Sequence, residues 1–163
     1  MDDSLNSLAR AVGHDLGNAG HAVATAESCT GGWVAQVLTS IPGSSRWFER
    51  GFITYSNLSK RELLGVKTDT LVRFGAVSEQ TARAMAEGAL ARSRAEYALA
   101  VTGIAGPQGG TPEKPVGTVC FAWVRRQHAC HSVTRLFSGD REQIRRQSVA
   151  AALEGLRDYA MRR

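Results

Sequence analysis

Long apolar runs, cysteine, histidine and lysine are all scarce in this chain of 163 residues, and each scarcity closes off a class of function. No apolar segment approaches the roughly 20 residues that a membrane-spanning helix requires, so no membrane-embedded role is expected. Three cysteines, an odd number, give no disulfide framework. The opening "MDDSLNSLARAVG" is acidic and then amphipathic, unlike a signal peptide. Reduced thiols and a cytoplasmic location are therefore the expectation. There is no C-x-x-C pair. In "CFAWVRRQHACH", Cys120 falls mid-strand, and the neighbours Cys130 and His131 would face opposite ways if extended, so with His128 they make a poor ligand set. No metal and no cofactor are expected. Neither G-x-x-x-x-G-K-[ST] nor G-x-G-x-x-G occurs, which removes the usual signals for nucleoside triphosphates and dinucleotides. Zinc-finger spacing, RNP-like aromatics and dense Lys/Arg runs are also missing, so nothing in the pattern points to nucleic acid.

What remains is an ordinary globular composition, 43% hydrophobic and 21% charged, expected to form one domain over residues 1–163. The net charge of +5 favours an anionic partner, such as a small phosphorylated ligand. Helical and strand-like patterns alternate along the chain. "SLNSLARAVGHDL" has helical spacing, "HAVATAE" reads as a buried strand, and "GGWVAQVLTSI" as a helix ended by "PGSS". "GFITYS" is a second strand. "NLSKRELLGV" follows as a short helix closed by Gly65, with Asn57 or Ser59 placed to cap it. "SEQTARAMAEGALARSR" is the clearest amphipathic helix, capped by Ser78. "YALAVTGIAG" is a strand covered on both faces, running into a glycine loop. "GTVCFAWV" and "HSVTRLF" make a hairpin, and Asp140 with Gln143 form a capping box for the last helix. The order predicts an α/β fold, a three-layer α/β/α sandwich with an antiparallel element near the C-terminus.

Three constellations carry chemistry. "AESCTGG" lies where a strand passes into a helix. Free backbone N–H groups and the positive dipole end gather there, so a nucleophile has oxyanion donors at hand. Ser28 and Cys29 both qualify by position, and the spacing does not rank them. Gly31 and Gly32 would let a substrate approach the backbone. A serine needs a base, and His14, His21, His128 and His131 are poorly placed to be one. Of the three lysines, Lys60 follows a strand and opens a helix, as a Ser-Lys pair would need, provided burial lowers its pKa. The loop "TGIAGPQGGTPEKPVGTV" can wrap an anion with backbone N–H groups, and Arg141 and Arg145 in "DREQIRRQ" form a second candidate anion site.

Taken together, "TAESCTGG", "GSSRWFERGFITYSNLSK", "GAVSEQTA", "AVTGIAGPQGGTPEKPVGTV" and "FSGDREQIRRQ" closely resemble the CinA C-terminal domain family, in their usual order and over nearly the whole chain. The resemblance implies a three-layer α/β/α sandwich with a mixed β-sheet. Its single-domain members are nicotinamide-nucleotide amidases, which convert nicotinamide mononucleotide to nicotinate mononucleotide and ammonia in pyridine nucleotide (NAD) recycling. It also implies a metal-free Ser/Lys amidohydrolase that often assembles as a homo-oligomer. By motif, Ser28 is then the nucleophile, Lys60 the general base and Tyr55 a third catalytic residue near the dyad, its hydroxyl placed to relay or orient the proton. Thr30, Gly31, Gly32, Ser45, Thr102, Gly103, Gly106, Arg141 and Arg145 are implied substrate-binding residues. A nucleotide-binding module without catalysis, and an accessory protein tied to competence or DNA damage, are the alternatives. The first would bind without turnover, and the second would bind nucleic acid with a steep salt dependence.

Overall fold

The computed structural model describes residues 2–162. In chain order it comprises α1 (Asp3–Ala19), β1 (Val23–Glu27), α2 (Trp33–Thr39), a 3₁₀ turn (Ser44–Arg46), β2 (Phe48–Ile53), α3 (Asn57–Leu64), α4 (Thr68–Phe74), α5 (Glu79–Ala91), β3 (Tyr97–Gly103), β4 (Thr118–Arg125), β5 (His131–Leu136) and α6 (Arg141–Met161). The strands form one sheet in the order β2-β1-β3-β4-β5. β2, β1 and β3 run parallel, while β4 and β5 add as an antiparallel hairpin. This is the mixed-sheet α/β/α sandwich that the sequence pattern predicts. No helix among the described residues is long and apolar enough to cross a membrane.

Side-chain alternation sorts the two faces, because successive strand residues point opposite ways. Along β3, Tyr97, Leu99 and Val101 join the core beneath α1, α2 and α6. Ala98 and Ala100 turn to the other face, against Ala82, Met85, Ala86 and Ala89 of α5. β4 repeats the division, with Val119, Phe121 and Trp123 on the first face and Cys120, Ala122 and Val124 on the second. The large residues thus fill the thick layer, and the small ones let α5 lie close to the sheet.

The short α3 rests on α5 in turn. A Cβ on the buried Gly88 would fall 2.0 Å from the Leu64 carbonyl oxygen, so only a glycine admits this approach. α3 is capped by Ser56, not by Asn57 or Ser59. The Ser56 hydroxyl accepts from the Ser59 N–H, and the Ser59 hydroxyl accepts from the Ser56 N–H. A serine here fills the place usually held by glutamate or glutamine in a capping box, which hid it from the pattern. The seven-residue α4 carries too short a period to be read in advance. Caps at Ser78 for α5 and Asp140 with Gln143 for α6 form as expected.

Since α3 carries Lys60, its seat on α5 matters beyond stability. Gly88→Ala is expected to cost about 1–3 kcal/mol through overpacking, lowering Tm by several degrees in a thermal melt.

Candidate active site

Ser28 follows the last residue of β1, Thr54 and Tyr55 follow β2, and Thr102 and Gly103 end β3. All lie at the carboxyl ends of parallel strands. The chain leaves β1 toward β2 on one side and returns to β3 on the other. That reversal opens a crevice, the usual place for a ligand in an open α/β sheet. The crevice here is a cleft of about 280 Å³, lined among others by Ser28, Tyr55, Asn57, Lys60, Thr102 and Arg141.

The centre of the cleft is a serine and a lysine. Lys60 Nζ stands 3.0 Å from Ser28 Oγ and donates to the Thr54 carbonyl oxygen at 2.9 Å. Lys60 is only 1% exposed, and among the described residues no carboxylate pairs with it. Burial therefore pushes its pKa below the ordinary lysine value. A neutral amine beside a hydroxyl can accept its proton, so the pair has the make-up of a nucleophile and its base. No histidine lines the cleft.

Cys29 also borders the cleft, but burial disfavours it as the competing nucleophile. Its side chain packs into the core under α1, α2 and α6, and burial pushes its thiol up to about 12. Burial thus works against the thiolate, the reactive form.

The turn between β1 and α2 is organised by Glu27, a residue not singled out by the sequence reading. Its carboxylate, 1% exposed, accepts from Thr30 Oγ1 at 2.6 Å, from the Val34 N–H at 2.9 Å and from the Ala35 N–H at 3.0 Å. The first free amides of α2 are thus taken by protein, which corrects the expectation that they serve an oxyanion. The donor left at the cleft lies in the turn itself: the N–H of Cys29, which borders the cleft, leans only on its own sulfur, whereas the Thr30 N–H has no acceptor among the described residues but belongs to a residue with 0% exposure. The available clue was an acid directly before the serine, with a hydroxyl three residues on.

The other implied binding residues divide. Arg141 donates to the Gly106 carbonyl at 2.7 Å and to the Tyr55 hydroxyl at 2.9 Å, closing one side of the mouth. Tyr55 lines the cleft, but it is 60% exposed and its hydroxyl meets Arg141, not the dyad. Gly103 and Gly106 line the cleft, as does Thr102, whose hydroxyl donates to the Ala76 carbonyl at 2.8 Å. Thr30, Gly31 and Gly32 do not line it. Thr30 is engaged by Glu27, and the two glycines adopt φ of +59° and +101°, where glycine is favoured. Arg145 is turned to the back of the turn, donating to the Cys29 and Thr30 carbonyls. Ser45 is exposed and precedes β2, whereas Ser28 follows β1. Because β1 and β2 are parallel, about five residues or roughly 16 Å of strand separate them within one chain. A larger cavity of about 400 Å³ lies elsewhere, between α1 and the 3₁₀ turn, lined by Arg10, His14, Arg46 and Trp47 among others. It pairs no nucleophile with a base.

The CinA C-terminal domain family pattern matches residues 5–160. Nicotinamide-nucleotide amidohydrolase PncC of Escherichia coli (strain K12) is 53% identical over 155 residues, covering 95% of this chain and 94% of that protein. The PncC protein of Pseudomonas putida is 50% identical over 154 residues, covering 94% and 96% respectively. Among solved structures, the competence/damage inducible protein CihA from Agrobacterium tumefaciens matches with a TM-score of 0.92 at 51% identity, covering 95% of this chain and 94% of that one.

Lys60 leaves a signature in stability. With its pKa lowered on folding, the unfolded chain binds the proton more tightly. Its contribution to stability is therefore unfavourable below the lowered value, and is relieved as pH rises toward about 10.5. Chemical denaturation at several pH values should show wild-type stability gaining on that of Lys60→Met across this window. A constant difference between the two would mean that Lys60 titrates normally.

Proposed function

The chain belongs to the CinA C-terminal domain family, and on that footing we propose that it is a nicotinamide-nucleotide amidase, hydrolysing nicotinamide mononucleotide to nicotinate mononucleotide and ammonia. The observation that carries this reading is the 3.0 Å approach of Lys60 Nζ to Ser28 Oγ inside a cleft. It is supported by near full-length similarity to proteins named for that activity. The net charge of +5 suits a phosphorylated substrate. Conversion of the amide to the acid returns a pyridine nucleotide toward NAD synthesis.

The reaction follows from the residues present. Neutral Lys60 takes the Ser28 proton as Oγ attacks the carboxamide carbon. The carbonyl oxygen gains charge and turns to the N–H of Cys29, which borders the cleft beside Ser28. Lys60, now protonated, delivers the proton to the amide nitrogen, and the C–N bond breaks with loss of ammonia. Water then enters, gives a proton to Lys60 and attacks the acyl-enzyme, releasing the acid and restoring Ser28. Thr54 keeps the amine aimed through its carbonyl oxygen. Arg141 stands at the mouth with guanidinium N–H groups beyond those used by Gly106 and Tyr55, and is the partner for the substrate phosphate.

Ammonia release from nicotinamide mononucleotide is the test. Ser28→Ala and Lys60→Ala should each lose about 10³-fold or more in kcat. The wild-type kcat/KM should rise with pH along a limb centred below the ordinary lysine value, as the lowered Lys60 pKa requires. Arg141→Ala should raise KM about tenfold or more with kcat little changed, the loss of a charge-assisted contact. Binding of the nucleotide without turnover by the wild type would reduce the chain to a binding module.

A further inference from the structure

Arg141 and Arg145 lie four residues apart on α6, hence on one helix face, yet they meet different structures. Arg141 reaches the mouth of the cleft, whereas Arg145 does not line it. Arg145 Nε donates to the Cys29 carbonyl at 3.0 Å and Nη2 to the Thr30 carbonyl at 3.1 Å. Its guanidinium also sits 5.5 Å over the Trp33 ring. Gly31 comes so close that a Cβ there would stand 3.4 Å from Nη2. The fork is therefore committed to the backbone of the turn.

That commitment has a consequence for the peptide planes. A trans peptide places its N–H opposite its C=O. Drawing the Cys29 carbonyl toward Arg145 turns the Thr30 N–H away from it. The Ser28 carbonyl is likewise occupied, accepting from the Gly31 N–H at 3.0 Å, which turns the Cys29 N–H away from Gly31. The Ser28 N–H is held by the Val101 carbonyl at 2.9 Å, tying the turn to β3. On the inner side, the Glu27 carboxylate holds the Thr30 hydroxyl. The turn is gripped between a buried anion and a half-buried cation.

We infer that Arg145 is a positioning residue for the nucleophile: its fork holds the Cys29 and Thr30 carbonyls and so fixes the turn that aims Ser28 Oγ at Lys60. It does not bind the substrate phosphate. The inference rests on Ser28 being the nucleophile, as proposed above. It predicts an effect on the chemical step and not on affinity, which separates it from Arg141.

Two readouts test it on the intact chain. The first is kcat and KM for ammonia release from nicotinamide mononucleotide. The second is the rate at which a fluorophosphonate labels Ser28, followed by intact mass. In labelling, the Oγ–P bond forms, fluoride leaves with the P–F pair, and Lys60 takes the serine proton. This rate reads the placement of Ser28 beside Lys60 whatever the natural substrate. Arg145→Ala should lose about 10²-fold in kcat, with KM within about twofold, and labelling should slow by a similar factor. Added guanidinium ion should restore part of both rates. Arg145→Lys, a point charge without the fork, should fall between Arg145→Ala and wild type without added ion. A raised KM at unchanged kcat would overturn the inference in favour of phosphate binding. Equal losses that guanidinium does not restore, or wild-type labelling rates in folded Arg145→Lys, would overturn it as well. A wild type that is labelled but releases no ammonia would sink the amidase reading while the labelling rates still decide Arg145. A wild type that does neither would remove both.

Discussion

A primary amine is held in the protein interior beside a hydroxyl, without a carboxylate to neutralise it. That constraint shapes most of what surrounds Lys60. A nearby acid would favour the ammonium and spoil the base. The chain nevertheless ends β1 on an acid, Glu27, directly before the nucleophile. The conflict is resolved by giving Glu27 other partners. The Thr30 hydroxyl and the N–H groups of Val34 and Ala35 satisfy its carboxylate, and the N-terminus of α2 favours a negative charge. Acid and base are separated by hydrogen bonding rather than by distance along the chain. Lys60 is left with two neutral oxygens, Ser28 Oγ and the Thr54 carbonyl.

Such a site cannot be assembled by one element. Ser28 comes from the end of β1, the Thr54 carbonyl from the exit of β2, and Lys60 from the first turn of α3. The parallel pairing of β1 with β2 fixes the first two, since the Thr54 N–H also donates to the Glu27 carbonyl at 2.8 Å. α3 is fixed by its Ser56 cap and by its seat on Gly88 of α5. The alanine-rich face of α5 and the matching alanines of β3 are part of the same arrangement. They bring the helix layer close enough to the sheet for a lysine on α3 to reach a serine on β1.

The fold was legible because each element repeats its signal over several residues. The two-sided burial of β3, the two strand-like runs of the β4–β5 hairpin and the capping box of α6 are each redundant within one segment. α4 and the Ser56 cap were not legible, the first for want of length and the second for want of the usual partner residue. The site was legible in part: Lys60 stands beside Ser28 as the family resemblance implies, although spacing alone did not rank Ser28 above Cys29. It misled where the residue type admits two uses. Gly31 and Gly32 looked like room for a substrate, but their backbone conformation is what requires glycine. Ser45 sits in a recognisable stretch, yet parallel strands carry it to the far end from Ser28. Glu27 went unassigned because an acid at a strand end gains meaning only when the amides around it are counted.

The same counting separates the two arginines of α6. Sequence gives them equal standing as anion ligands, four residues apart and of one type. The difference lies in what is left over after hydrogen bonding. Arg141 uses its fork on a loop carbonyl and a tyrosine hydroxyl at an open rim, where it is the proposed partner of an incoming phosphate. Arg145 spends its fork on two consecutive carbonyls of the nucleophile's own turn. On the proposed reading, one helix serves both ends of the substrate, holding the anion with one residue and fixing the turn that carries Ser28 with another one turn on. The rise of about 6 Å over four helical residues sets the scale of that division. A change in the seating of α6 would then alter binding and chemistry together.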